Sequence, residues 1–258
     1  MVTQFEELTD SQWEVMKDIL NCQRKRKHDL REIFNALLWL DRTGTQWRNL
    51  ESRYPRWTIV YYYFRRWRTD GTFVLLNVHL VNLERWMWDK EATPSLVSVD
   101  SQSVKAAPFV DSDKGIDGNK RVNGRKRHIV VDTLGLVVGV SVSAANADDA
   151  KEGMKLLERC KSQLQRVQKV LVDGAYKNSF AGWVKEHLRA EAEISSRPET
   201  AKGFVPIKWR WVVERTFGWL NFFRRLAKDY EKTAQSAESW ILLANCSVIL
   251  QRFAHWPN

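Results

Sequence analysis

Three acidic residues stand where carboxylates are able to do chemistry: Asp100, Asp173 and Glu214. Asp100 follows the β-branched run "SLVSV", and Asp173 ends the short apolar run "KVLV". Glu214 lies in "RWVVERTFGWLNFFRRLAKDYE", residues 210–231, where apolar residues recur at the 3-and-4 spacing of a helix. Oxygen ligands of this kind are typical of a site for a hard divalent cation.

Strand patterns predict how the first two acids are positioned. The runs "SLVSVDSQSVK", "RHIVVDT" and "GLVVGVSVSA" predict a three-stranded meander with a tight turn around Gly135. An amphipathic helix, "DDAKEGMKLLERCKSQL", then precedes the buried strand of "KVLVDGAY". Because a strand that returns after a helical crossover tends to run parallel to a neighbour, we expect Asp100 and Asp173 to lie side by side.

Adjacent carboxylates on apolar strands repel each other, so one holds a proton unless a cation lies between them. Neither Cys nor His accompanies these acids, and such a ligand set favours Mg²⁺, with Mn²⁺ as a substitute. The alternative is that each aspartate only forms a turn or caps a helix, and Gly174 after Asp173 also fits that interpretation.

Glu214 interrupts a cationic face of its predicted helix. On a helical wheel of 210–231 that face also carries Arg210, Gly218, Asn221, Arg225 and Lys228, whereas Val212, Trp219, Phe223 and Leu226 gather opposite. Glu214 therefore either forms an ion pair with Arg210, or completes a three-carboxylate site beside cations that contact DNA phosphates. The two strand-end aspartates favour the second interpretation.

Residues 1–92 predict a helical domain that docks on DNA. Helices are expected over "DLREIFNALLWLDRTG", over "YPRWTIVYYYFRRWRTDG" and over "FVLLNVHLVNLERWMW". In the second of these, aromatic residues interleave with Arg65, Arg66 and Arg68, a pattern that suits phosphate contacts in a helix-turn-helix-like arrangement. The alternative is a plain helical bundle whose arginines are only solvated.

A second basic region surrounds the predicted loop "DSDKGIDGNKRVNGRKRH". Its cations are Lys105, Lys114, Lys120, Arg121, Arg125, Lys126 and Arg127. We expect this loop to touch DNA; the alternative is a solvated hairpin tip. Similarly, Trp183, Trp209 and Trp211 either stack on an unpaired base or are buried.

Composition favours a polyanionic partner and excludes several protein classes. The 258 residues carry 41 Lys and Arg against 31 Asp and Glu, a net charge of +10. The longest apolar run, "WILLANCSVIL", is too short to cross a bilayer, and the acidic N-terminus does not resemble a signal, so we expect a cytoplasmic protein. Cys22, Cys160 and Cys246 lack metal-site spacing and are expected to be buried thiols.

The segments "SVDSQSVK", "VDGAY" and "RWVVERTFGWLNFFRRLAKDYE" resemble the three acidic motifs of the DDE transposases of bacterial insertion sequences, in the group called insertion-sequence family five. The N-terminal helical segments resemble the same proteins, so the resemblance covers nearly the whole chain. It implies a DNA-binding domain over 1–92 and an RNase H-like, mixed-sheet catalytic domain over 93–258. It also implies that Asp100, Asp173 and Glu214 are the catalytic, metal-binding triad.

The resemblance further implies phosphoryl transfer on double-stranded DNA: two metal ions serve hydrolysis at the element's ends, and the freed 3′-hydroxyl then attacks target DNA. Pairing two ends implies a homodimer on the nucleoid. Related third motifs carry Tyr, Arg, Glu and Lys; Arg210 and Glu214 match, whereas Ile207 and Asn221 do not. Arg225 or Lys228 is expected to replace the lysine.

Two other classes stay open at this point. A metal-dependent nuclease or resolvase of the same fold cuts DNA without joining it, and the N-terminal domain argues mildly against that class. A non-catalytic DNA-binding protein needs no acidic triad, and the retention of all three acids argues against it, because clustered carboxylates without a cation destabilise a fold.

Overall fold

The computed structural model describes residues 5–20, 27–176, 179–194 and 211–253. Its helices are α1 (Asp10–Lys17), α2 (Leu30–Thr43), α3 (Trp57–Thr69), α4 (Thr72–Met87), α5 (Asp149–Arg159), α6 (Ser179–Leu188), α7 (Trp211–Leu220) and α8 (Ala234–Phe253). Its strands are β1 (Leu96–Lys105), β2 (Gly115–Asp117), β3 (Val122–Asp132), β4 (Val137–Ala144), β5 (Lys169–Val172) and β6 (Glu191–Ile194). Within the described ranges, none of the helices combines the length and the apolar character that a bilayer crossing requires.

The predicted N-terminal helices are confirmed, and local residues explain where they begin and end. Thr9 and Gln12 form the capping box at the start of α1. Gly44 closes α2 in the left-handed conformation, at φ 71°, and its amide donates to the carbonyl of Leu40.

A mixed sheet follows, and its topology confirms the predicted meander, helix and returning strand. Strand β3 pairs antiparallel with β1 on one side and with β4 on the other, and β5 pairs parallel with β1. The order β4-β3-β1-β5-β6, with the short β2 also paired to β3, is that of the RNase H-like core which the resemblance implies. Gly135, at φ 81°, makes the predicted tight turn between β3 and β4.

The sheet has a separate apolar core on each face. Helices α5 and α6 cover one face, with Val97, Val99 and Val130 pointing towards them. Ile129 and Val131 point to the opposite face, whose core also contains apolar side chains from α1 to α4, α7 and α8. The N-terminal helices therefore share one continuous core with the sheet.

Buried ion pairs join the same two layers. Arg85 of α4 pairs with Asp132 at the end of β3, and both side chains are almost fully buried. Burial raises the pKa of Asp132, whereas Arg85 and the amides of Leu136 and Leu134 act in the opposite direction. Removing either partner would leave a buried charge without compensation, so the pair ties α4 to this strand.

Two cysteines are buried thiols, as predicted. Burial raises the pKa of Cys160 and of Cys246 to about 12, which keeps both in the unreactive thiol form. Cys22 lies outside the described residues.

Candidate active site

The register between β1 and β5 brings the first two predicted acids together. Ser98 pairs with Leu171 in the last step of this parallel ladder. If the same register continued for two further steps, Asp100 would lie level with Asp173, at about the 4.8 Å separation of neighbouring strands. Both carboxylates are half-buried. The β1–β5 register agrees with the side-by-side arrangement expected from the crossover, which stays a prediction for these two carboxylates.

Local amides orient the two carboxylates. The amide of Ser101 donates to Oδ1 of Asp100 over 2.7 Å, and the amide of Ala175 donates to Oδ1 of Asp173 over 2.9 Å. The second contact is the turn-forming bond that the alternative interpretation of Asp173 requires. It occupies one carboxylate oxygen, so a turn-forming role and a ligand role are compatible at this residue.

The pKa of the Tyr176 phenol indicates a negative electrostatic potential near Asp100 and Asp173. Its pKa is raised well above the ordinary value, first by burial and then by the carboxylates of Asp100, Asp149 and Asp173. Its hydroxyl oxygen is buried and has no hydrogen-bond partner among the described residues. Such a concentration of carboxylates favours a cation over a neutral ligand.

Helix α7 brings Glu214 to the same side of the sheet as Asp100. The helix packs against β1 and β3, and alternation along β1 turns Asp100 and Ser98 away from the face that Val97 and Val99 share. Thr216 fixes the helix over the β3–β4 turn, because its hydroxyl donates to the carbonyl of Gly135 over 2.8 Å. Glu214 is exposed near the start of α7, and Arg210, its predicted ion-pair partner, lies outside the described residues.

The donor chemistry of these residues fits a hard divalent cation, since all the ligands on offer are carboxylate oxygens. Within the described part of the chain, no group of three His, Cys, Asp or Glu side chains is close enough to hold a metal ion. That Asp100, Asp173 and Glu214 act together as metal ligands therefore stays a prediction.

The prediction of one long helix over 210–231 is wrong beyond Leu220. Helix α7 ends there, the chain turns at Asn221 and Phe222, and a short 3-10 turn occupies Arg224–Leu226. Phe223 is buried after this turn, which redirects the backbone towards the core. Arg225 and Lys228 therefore do not continue the face that carries Glu214.

The contacts of Arg225 do not favour the predicted role in DNA binding. Its guanidinium donates to Glu231 over 2.7 Å and to the carbonyl of Thr45 over 3.1 Å, and it lies over the ring of Trp240. Its side chain is only 8% exposed. These contacts use the guanidinium to join α2, α8 and the turn after α7.

Lys228 keeps an accessible position. Together with Gln102, Lys105 and Asn221 it lines an open groove of about 350 Å³ beside β1. Lys105 is exposed and Lys228 is half-buried beside Tyr230. Two lysines along one groove, at the end of the strand that carries Asp100, suit the phosphates of a nucleic-acid strand.

Three of the other predicted cations of the basic loop, Arg125, Lys126 and Arg127, are buried in β3, where they are not accessible to DNA, whereas Lys120 and Arg121 are exposed. Arg125 is fully buried and pairs with Asp229 over 3.3 Å. Arg127 is buried near Asp229 and Asp41, and burial lowers its pKa to about 10. The segment is a strand covered on both faces, because its side chains alternate between the two cores.

The predicted N-terminal contacts divide in a similar way. Arg65 and Arg66 are exposed on α3, whereas Arg68 is half-buried and donates a hydrogen bond to Ser236 of α8. Arg65 and Arg66 are therefore accessible to phosphates, and Arg66 also lies 3.7 Å from the carboxylate of Asp70. The aromatic neighbours Tyr63 and Trp67 are buried in the core.

Two of the three predicted stacking tryptophans are described. Trp211 is exposed, with the guanidinium of Arg215 over its ring at 4.4 Å. Trp183 is half-buried and its ring stacks on His187. Trp209 lies outside the described residues. Stacking on a base stays a prediction for all three.

Comparisons with known proteins match both parts of the chain. The family described as "Transposase DDE domain" matches residues 91–249, and a family of transposases of the IS4/5 group matches residues 8–77. Asp100, Asp173 and Glu214 all lie within the first match, and α3 lies within the second.

Two curated relatives and one solved structure are similar to this chain. A Burkholderia cepacia protein, named as a transposase for insertion sequence element IS402, is 31% identical over 48% of this chain and 62% of its own length. A Brucella ovis protein, named for element IS6501, is 31% identical over 49% of this chain and 98% of its own length. The Mos1 transposase paired-end complex with left transposon end matches 90% of this chain and 78% of its own, at 12% identity and a TM-score of 0.33, which is too low to support an argument.

The chain thus spans less than two thirds of the length of the Burkholderia protein. The family match alone covers more than half of the chain and contains the strands, the helices and the acids described above. This chain belongs to the transposase family with the DDE domain.

Proposed function

We propose that this protein is a DNA transposase that binds the terminal inverted repeats of its element, cleaves the DNA ends by metal-dependent hydrolysis and joins the 3′-hydroxyl ends to target DNA. The observation that supports the proposal is the parallel β1–β5 register, whose continuation beyond Ser98 and Leu171 would bring Asp100 beside Asp173. Helix α7 presents Glu214 on the same side.

In this proposal Asp100, Asp173 and Glu214 hold two Mg²⁺ ions, and Mn²⁺ substitutes for Mg²⁺ at the same positions. When bound, the ions supply Lewis-acid stabilisation of the attacking and leaving oxygens of a phosphodiester. The protein itself holds the carboxylates in position. The amides of Ser101 and Ala175 orient Asp100 and Asp173, and Thr216 anchors the helix that carries Glu214.

Cations near the site guide the DNA. Lys105 and Lys228 extend from the acids along the groove beside β1, and Arg210 is proposed to contact the strand near Glu214. Arg65 and Arg66 of α3 bind the flanking repeat, which gives residues 1–92 the role of a DNA-binding domain. Two copies pair the two ends of the element, and the reaction takes place on cytoplasmic, nucleoid DNA.

The test is a cleavage and joining assay with labelled DNA that carries the element's own ends. Wild-type protein and Glu214→Gln are compared in Mg²⁺ and in EDTA. Glutamine keeps the size of the side chain and removes its charge, so the fold is preserved while the ligand is lost. We expect metal-dependent nicks and joined products from the wild type, and neither from the variant.

Each of the other outcomes of this assay would assign the protein to a different functional class. Cleavage without joining on correct ends identifies a nuclease or resolvase of the same fold. Binding without cleavage in either protein, with equal affinity in Mg²⁺ and EDTA, identifies a DNA-binding protein in which Glu214 has only a structural role.

A further inference from the structure

A polar network lies directly behind Asp100, on the opposite face of β1. The hydroxyl of Ser101 donates to Oδ1 of Asp149 over 2.6 Å. Asp149 opens helix α5, whose first turn is capped by Asp148. Its carboxylate therefore fastens the start of α5 to the residue that follows Asp100.

A buried lysine holds Asp149 in place. The Nζ atom of Lys126 lies 3.1 Å from both carboxylate oxygens of Asp149 and donates to the carbonyl of Ala147 over 3.0 Å. The side chain of Lys126 is only 8% exposed, and that of Asp149 is 20% exposed. Because a charge pair so far removed from water is weakly screened, its geometry is well defined.

Ser101 connects this network to Asp100 through a second bond. Its amide donates to Oδ1 of Asp100 over 2.7 Å while its hydroxyl reaches Asp149. A rotation of the strand at Ser101 would disturb both bonds together. The phenol of Tyr176, in the core beneath α5 and α6, lies within electrostatic range of both Asp100 and Asp149.

We propose that Asp149, clamped by Lys126, is a positioning residue for Asp100: acting through Ser101, it fixes the middle of β1, next to Asp100, so that the Asp100 carboxylate stays in a geometry that binds a divalent cation. The inference rests on the proposed function for the reaction that this geometry serves. Outer partners that orient a metal ligand typically contribute 10-fold to 100-fold in metal affinity or activity.

The strand offers a matched control for the test. Ser103 lies two residues further along β1 on the same face, and its hydroxyl also donates to an aspartate, Asp117, over 2.5 Å. Ser101→Ala and Ser103→Ala thus remove the same group and the same kind of bond. Only the first of these bonds belongs to the residue that follows Asp100.

We expect Ser101→Ala to lower the single-turnover cleavage rate at limiting Mn²⁺ about 10-fold or more, and to raise the Mn²⁺ concentration for half-maximal rate. DNA affinity and the melting temperature should match those of Ser103→Ala. Ser101→Thr, which retains the hydroxyl, should restore the rate, and Asp149→Asn should show the same loss as Ser101→Ala. A loss of equal size in both alanine variants, or no loss in Ser101→Ala, would overturn the inference.

A second readout separates this inference from the proposed function. Mn²⁺ binding to the protein, followed by calorimetry without turnover, should weaken in Ser101→Ala and not in Ser103→Ala. If the wild type binds Mn²⁺ but cuts no DNA, the proposed function fails while the difference between the variants still decides the positioning role. Equal Mn²⁺ affinity in the wild type and both variants would contradict that role.

Discussion

Two basic runs of similar composition have opposite fates in this molecule. On α3, Arg65 and Arg66 lie exposed to solvent. On β3, Arg125, Lys126 and Arg127 are 0%, 6% and 2% exposed. Both runs predict phosphate contacts from sequence, yet only the first is placed to make them.

The difference lies in what covers each element. A helix at the surface buries one stripe and leaves the rest in water, so α3 hides Tyr63 and Trp67 while its arginines stay outside. Strand β3 has neighbours on both edges and a core on both faces, so its cations are buried whichever way they point. A run of charge therefore predicts DNA contact only where the element has a free face.

Loss of Arg125 should have the largest effect on stability. Arg125→Met leaves Asp229 buried without its cation and removes several bonds to carbonyl groups. We expect the free energy of unfolding to fall by about 3 to 5 kcal/mol. Chemical denaturation measures this, with Arg66→Met as the exposed control, for which a change within about 0.5 kcal/mol is expected. Similar small changes in both variants would remove the contrast.

His128 of β3 predicts that the stability of the fold depends on pH. Burial lowers the pKa of His128 to about 4, although the Asp149 carboxylate acts in the opposite direction. The unfolded chain thus binds a proton below pH of about 6.5 while the folded chain resists it, and stability falls as the pH drops from about 6.5 towards 4.

The full loss through His128 amounts to about 3 kcal/mol once the pH is below both pKa values. Denaturation curves of the wild type and of His128→Gln across this range isolate the contribution, because glutamine does not titrate there. Identical pH profiles in the two proteins would show that burial does not keep this histidine neutral.

Removal of the exposed arginines should change DNA binding and leave stability unaltered. Arg65→Ala combined with Arg66→Ala is expected to reduce the slope of log affinity against log salt by about 2, since each lost phosphate contact contributes about 0.9. Binding titrations at several salt concentrations give the slope. Lys155→Ala with Lys161→Ala, two exposed cations beyond the other face of the sheet, should leave it unchanged. An equal decrease of the slope in that control would show that the arginines of α3 contribute only general positive charge and no specific phosphate contact.

The smallest effect is expected at the groove beside β1. Lys228→Ala should reduce the same slope by about 0.9 and leave the unfolding free energy nearly constant. Arg225→Ala is the matched contrast three residues away: it breaks the buried contacts to Glu231 and Thr45 and should lower stability without reducing the slope. A reduced slope with unchanged stability in Arg225→Ala would show that Arg225 contacts DNA.

Much of the sheet was predictable because its strands have strong local signals. β-branched runs, Gly135 in the turn and the capped helix α5 fix the order of elements, and the crossover rule then places β5 beside β1. Strand β6 carries no comparable signal, because it is a short edge strand with glutamates at two of its positions. Helix α8 lacks a polar stripe, since it is buried almost all round, and a periodicity argument cannot find such a helix.

The errors at the site have a common cause. A helical wheel of 210–231 places Arg225 on the face of Glu214 only if the helix continues through the whole segment. Periodicity does not reveal the turn after Leu220, which moves Arg225 off that face. Sequence alone does not single out Asp149, because an acid in the first turn of a helix already has an ordinary explanation. Only tertiary contacts with Ser101 and Lys126 distinguish it from other such acids.

The most direct test of the central claim is a single-turnover cleavage assay on end-bearing DNA with Asp100→Asn, Asp173→Asn and Glu214→Gln, in Mg²⁺ and after exchange to Mn²⁺. We predict that each variant binds the DNA as the wild type does and loses cleavage by several orders of magnitude. Cleavage at the wild-type rate in any one of the three would contradict the assignment of that carboxylate to the reaction centre.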